Sequence, residues 1–198
     1  SQMFPKKSYG FELWDDTGAE ITEPRLGMPS ESDWVLSAGH SDKSLLNNPL
    51  TFDLGQRMGR YAPRWRHVEV ILNGAYLGVY ALMEKIKRDG DRVSIAKLQP
   101  QDTIGDDLTG GYIIKIDWAQ GNNAAFWTSE FAPPNANGAQ TVEFLVDYPN
   151  TPLSQQTAYI QAYTDSFEYA LHDNDLADAV NGHRHFLDVP SAIDCFLV

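Results

Sequence analysis

The run from His67 to Arg88, HVEVILNGAYLGVYALMEKIKR, constrains this chain more than any other, because a near-continuous β pattern breaks once, at Asn73-Gly74. Two apolar runs joined by Asn-Gly are the strongest short-range hairpin signal, since a type I′ turn needs positive φ at both central residues. The second run leaves the apolar pattern at Glu84-Lys85. A hairpin whose outgoing strand delivers a carboxylate to a loop fits ordinary sheet or the back wall of a nucleotide cleft. Its neighbours decide which.

Upstream, Lys7 to Asp15 alternates Tyr9, Phe11 and Leu13 against polar neighbours and reads as a half-buried strand closed by the turn Asp16-Thr17-Gly18. Trp34-Val35-Leu36 is a short buried strand. From Ser41 the pattern turns helical: Ser41 or Asp42 can cap, and Leu46, Leu50, Leu54 and Met58 recur every fourth position as one apolar stripe. Pro49 either kinks this helix or starts a second one after an Asn48 cap, and Gly59 ends it. Downstream, Val93 to Leu98, Tyr112 to Trp118 and Thr141 to Val146 read as further strands, mostly antiparallel. Ser154 to Leu171 is the clearest helix, with Tyr159, Ile160, Tyr163, Phe167, Ala170 and Leu171 on one face. A last helix begins near Asp188-Val189-Pro190. Strand, helix, several strands and then helices is an α+β succession.

With 42% hydrophobic and 12% aromatic residues in 198, the chain has enough apolar surface for a core. Its net charge of -12 opposes non-specific binding to nucleic acid or anionic membrane, so a phosphate-bearing ligand needs a local basic pocket. Cys195 is the single cysteine, which excludes an internal disulfide and a cysteine-rich metal site. No apolar run approaches the roughly 18 residues of a spanning helix. The abrupt start at Ser1-Gln2-Met3, without a visible signal peptide, and the abrupt end in PSAIDCFLV suggest a fragment.

No phosphate-binding Gly-x-x-x-x-Gly-Lys loop, His-Glu-x-x-His helix or Gly-x-Ser-x-Gly elbow occurs. Polar residues on strands remain: Lys6-Lys7 at the head of the first strand, Lys43 near a helix start, Glu84 at a strand end, and Lys115 with Asp117 inside an apolar strand. Lysines on rigid strands can hold phosphates as point charges, and a carboxylate can orient one by pairing with it. The plainer reading of Lys115 and Asp117 is a shared solvent face. His183 and His185, two residues apart with no third ligand nearby, read as surface residues. Asp89-Gly90-Asp91 and Gly105-Asp106-Asp107 read as turns. Trp118, Phe126, Trp127 and Phe131 flank a Gly- and Asn-containing loop, and read as cover for the sheet before a carbohydrate site.

The words GMPSESDWVLSAGHSDKSLLNNPLTFDLGQRMGRYAPR, VEVILNGAYLGVYALMEKIKRDGDRVSIAKL and GDDLTGGYIIKID closely resemble the CotH family of atypical, secreted or surface-associated protein kinases. The resemblance runs from about Lys6 to Asp117 and resumes through the helix at Ser154 to the segment 188–198. It implies a protein-kinase-like N-terminal lobe with an antiparallel sheet and a packed helix over residues 1–150, with the start of a helical lobe over 151–198. It also implies Lys7 and Lys43 near nucleotide phosphates, Glu84 where a strand passes into an interlobe hinge, and Lys115 as a second cleft residue. ATP and Mg²⁺ are the implied cofactors, and the implied reaction phosphorylates hydroxyls of a protein substrate such as a coat or surface protein, outside the cell or on a spore coat. Two departures matter. Asn47-Asn48-Pro49 stands where relatives often carry a basic residue in an unbroken helix. The family's Asn/Asp catalytic loop and Trp-Asp-Phe-Asp-like metal segment have no counterpart before Val198, so no catalytic or metal-ligating residue is assigned, and these residues alone are expected to transfer no phosphate. The rival reading is a non-catalytic coat or cell-surface interaction module.

Overall fold

A type I′ turn takes positive φ twice in succession, and in the computed structural model Asn73 and Gly74 lie at +51° and +81°. The turn joins β5 (Trp65–Leu72) to β6 (Ala75–Glu84). Their register slips once, between Val70 and Ile71, where Gly78 on the opposite strand supplies a φ of +93° for a bulge. The structure describes residues 4–117, 119, 124–133, 140–172, 176, 178 and 180–198.

The other edge of β6 pairs with β4 (Asp33–Ser37), and β4 pairs with β1 (Tyr9–Glu12), giving an antiparallel sheet in the order β1-β4-β6-β5. One arm of the hairpin is therefore interior and the other is an edge. A small ribbon of β2 (Glu23–Arg25) and β3 (Met28–Glu31) adds Met28 to Trp34 and Leu82, and Leu13, Leu36 and Val68 pack around them. Trp34 is wholly buried, and its Nε1 donates to Glu31 O at 3.0 Å, so its one polar atom is satisfied.

A second core forms on β7 (Ile113–Ile116), β8 (Phe126–Thr128) and β9 (Glu143–Tyr148), antiparallel in the order β7-β9-β8. Helix α2 (Ser154–His172) sets Ile160 against Trp127 and Val146, and Trp127 stacks on Phe144 with ring centroids 5.7 Å apart. Buried Gln156 ties the helix start to a loop: its Nε2 donates to Gln99 O at 2.8 Å and Asp102 O at 3.1 Å, while its Oε1 accepts from Leu153 N at 3.0 Å. Helix α3 (Val189–Leu197) follows Asp188, whose backbone oxygen accepts from Ala192 N. The chain divides into two compact units, residues 1–86 with 193–198, and residues 87–192. Helix α2 thus shares a unit with β7, β8 and β9. This is an α+β protein of antiparallel sheets and three α-helices among the described residues. Among the described residues no helix is long and apolar enough to cross a membrane.

Several expectations change. The helix after Ser41 starts only at Asn47, as α1 (Asn47–Arg57). Asp42 explains the delay, because its Oδ1 accepts from Ser44 N and Ser44 Oγ and its Oδ2 accepts from Asn47 N, which holds residues 42–46 in a turn. Pro49 is then the third helical residue, where no intrahelical N–H bond is due, and it causes no break. The stripe Leu46, Leu50, Leu54, Met58 is present but exposed; the helix instead buries Pro49 and Gly55. Val93 to Leu98 is no strand beyond one bridge of Val93 to Arg88, because Ile95 N turns back to Val93 O and Leu98 N donates to the Tyr148 hydroxyl. The first strand spans only Tyr9–Glu12, and Trp14 bridges to Glu20 beyond it. Of the aromatic group, Trp127 covers its sheet and Phe126 is exposed; Trp118 lies outside the described residues.

Candidate functional site

Where β4 ends at Ser37 the chain must turn sharply before α1, and glycine at position 39 permits it. Gly39 has φ of +54°, and a Cβ there would sit 2.5 Å from Leu45 Cδ2. Leu45 itself takes φ of +58°, and the His67 ring donates through Nε2 to Leu45 O at 3.1 Å. Asp42 completes the loop, and hydrogen bonds from Ser44 and from the Asn47 amide hold its carboxyl below the ordinary value. This loop lines two hollows. One, of about 150 Å³, has Ser37, Gly39, Ser41, Asp42, Asn47 and Asn48 among its walls. The other, of about 210 Å³, is bounded by Phe4, Lys6, Lys7, Ser8, Ala38, Gly39, His40 and Ser41. They share Gly39 and Ser41.

The segment before β1 brings cations to this loop. Ser8 Oγ accepts from Ala38 N at 3.0 Å, which fixes the pair Lys6-Lys7 beside it. Lys6 donates to Val79 O, and its Nζ lies 4.4 Å from the centre of the Tyr80 ring, so Lys6 is committed to β6. Lys7 lines the larger hollow. Lys43 sits in the loop itself and is exposed, although it lines neither hollow. Lys7 therefore lies beside this loop and Lys43 within it.

Glu84 has a different setting. It lies three residues along β6 from Ala81, the partner of Ser37, so it is roughly 10 Å from the strand end that carries the loop. Its side chain has no solvent exposure. Arg64 encloses it: Arg64 Nη2 and Nε donate to Glu84 Oε1 at 2.7 and 2.9 Å, and the Arg64 backbone N–H donates to Oε2 at 2.9 Å. The carboxylate anchors the loop preceding β5. Sequence alone gives no signal for Arg64, because the Asn73-Gly74 turn by itself sets position 64 against Met83, and only the bulge between Val70 and Ile71 shifts the register by one and brings Arg64 opposite Glu84. Lys115 lies in the second unit, where its Nζ pairs with Asp147 Oδ1 at 3.1 Å; it is not among the residues of the β4–α1 loop. His183 is on a 3₁₀ turn, and its Nδ1 donates to Leu176 O at 2.6 Å. Among the described residues no three or more His, Cys, Asp or Glu side chains gather as a metal site.

Fold and loop together define an α+β protein whose four-stranded antiparallel sheet leads through a tight glycine loop, with Lys7 beside it and Lys43 within it, to the start of a helix. The family model described as CotH kinase protein matches residues 1–198, and the chain belongs to the CotH family. The match spans the whole chain, including the stretch between Asp117 and Ser154. No curated protein and no solved structure matches it.

Proposed function

We propose that this chain is the nucleotide-binding, kinase-like portion of a CotH protein kinase, and that the β4–α1 loop with Lys7 and Lys43 receives the phosphates of ATP. The observation that carries this reading is the convergence of Lys7 and the Gly39 loop on one phosphate-scale hollow in a chain of net charge -12. Each hollow is smaller than the roughly 300 Å³ at which whole-ligand pockets begin, so the fit is to phosphate and the adenine must lie elsewhere. Asp42 has its oxygens engaged by its own loop, and magnesium would arrive with the nucleotide, held chiefly by phosphates and water. Lys7 and Lys43 act as point charges that orient the phosphates, and the loop's backbone excludes bulk from one side. Lys115 would be a further cleft residue only by the family reading.

The family's reaction, transfer of the γ-phosphoryl group of ATP to a protein hydroxyl, is proposed for the protein as a whole, in an extracellular or spore-coat setting. These residues lack a counterpart of the aspartate motifs, so they bind and position without transferring. Calorimetric titration with Mg-ATP tests the binding. Saturable binding weakened by Lys7→Ala and by Lys43→Ala supports it; absence of heat, or binding indifferent to both changes, favours a coat or surface interaction module.

A further inference from the structure

The exposed stripe of α1 and the arginines at its far end make a second surface, which begins at Leu46 beside the loop and runs along the helix away from it. Leu46, Leu50, Leu54 and Met58 are 49%, 58%, 40% and 37% exposed, and together they present on the order of 400 Å² of largely apolar surface, as large as the biggest patch on many monomers. Four-residue spacing is the ridge by which one helix packs into the groove of another. Tyr61 is exposed just past the helix end. An ion pair of Arg60 Nε with Asp194 Oδ2 at 2.7 Å ties that end to the last turns of α3, where Ile193, Phe196 and Leu197 are exposed as well.

Charge identifies the occupant. Arg57, Arg60, Arg64 and Arg66 fall within ten positions, and no Asp or Glu occurs between Asp53 and Glu69, in a chain that otherwise carries a large acidic excess. Gln56, Gly59, Arg60, Tyr61, Ala62 and Arg64 line an open hollow of about 330 Å³ beside Met58. Arg60 and Arg64 are each held by a carboxylate, Asp194 and Glu84, while keeping 39% and 34% of their side chains exposed, so their guanidinium groups are pre-organised at the surface. A second copy of the chain would bring the same arginines and the same net charge of -12, which oppose pairing. We propose that α1 and the segment 57–66 dock an amphipathic helix of a partner protein, with leucine-like residues at four-residue spacing on the ridge and acidic residues against the arginines.

The test uses the whole chain and two labelled synthetic helices with identical leucine ridges, one flanked by glutamates and one by lysines, followed by fluorescence anisotropy. The glutamate helix is expected to bind saturably and at least about tenfold more tightly than the lysine helix. Leu50→Glu is expected to weaken it about tenfold or more, and Arg57→Glu several-fold, with a flatter salt dependence. Leu54→Glu serves in place of Leu50→Glu if the latter lowers the melting temperature. Equal binding of the two helices, or binding unchanged by either leucine variant, overturns the proposal. So does a dimer in sedimentation that Leu50→Glu dissociates, because the ridge would then be occupied by a second copy.

Discussion

Replacing Arg64 with alanine strips the guanidinium from a carboxylate that has no solvent exposure, and the consequence can be sized from the structure. Breaking a buried pair on one side costs about 3–5 kcal/mol, because the remaining charge keeps its desolvation penalty and loses its partner. Two features moderate this. Arg64 is one-third exposed, and its backbone N–H, which survives in alanine, still donates to Glu84 Oε2 at 2.9 Å. The expected loss is therefore near the lower bound, about 3 kcal/mol, which for a unit of roughly 90 residues lowers the melting temperature by about 12–20 °C. Urea and thermal unfolding followed by circular dichroism measure it. Lys85→Ala is the control: Lys85 is 54% exposed and pairs with Asp33 at 3.2 Å, and its removal is expected to cost under about 1 kcal/mol. The double change Arg64→Met with Glu84→Leu removes both charges and is expected to recover part of the loss, because the backbone N–H of residue 64 then loses its acceptor. If Arg64→Ala lies within about 1 kcal/mol of the parent, or the apolar double variant is as unstable as the single one, the desolvation argument is refuted.

Gly74→Ala isolates the turn: nothing lies within 4 Å of a Cβ there, so the cost is the φ of +81° alone, about 1–2 kcal/mol, read as a drop in melting temperature of roughly 4–12 °C. In the second unit, burial raises the Asp165 carboxyl above its ordinary value of 3.8, helped by the charge of Glu130. A raised folded value means that the folded state holds the proton more tightly, so stability falls as pH climbs through the window above 3.8. Asp165→Asn is accordingly expected to raise the melting temperature at neutral pH and to change little near pH 3, where both states are protonated. A stabilisation of equal size at both pH values would contradict that sign.

The hairpin was legible because its determinants are local: two apolar runs and the pair that takes positive φ, Asn73 and Gly74. Helix α2 was legible from its apolar spacing, although Tyr163 and Leu171 of the expected face are exposed while polar Gln156 and Thr164 are buried. What escaped the sequence depends on side chains that compete with the backbone ladder. Asp42 captures the amides of Ser44 and Asn47 and postpones α1, and the Tyr148 hydroxyl takes the Leu98 N–H that a strand would have used. The short strands β2, β3 and β8 carry too few residues to show a period. An apolar stripe says which residues share a helix face, and nothing about whether that face turns inward; on α1 small Gly55, close against Ala62, is the side that packs. At the candidate site, Lys7 and Lys43 were readable as lysines at element ends, but the placing of Lys7 beside the loop that carries Lys43 depends on the pairing of β1 with β4. Glu84 was readable as a strand-end carboxylate, and its use by Arg64 follows only once the hairpin register is extended past β5.

The nucleotide reading is tested most directly by mapping Mg-ATP onto the amide spectrum of the isotopically labelled chain. Saturable shifts concentrated at Lys6 to Ser8 and Ala38 to Asn48, and lost in Lys7→Ala, are the predicted result. Shifts absent at saturating nucleotide, or confined to the strand of Lys115 with the β4–α1 loop unmoved, would contradict it.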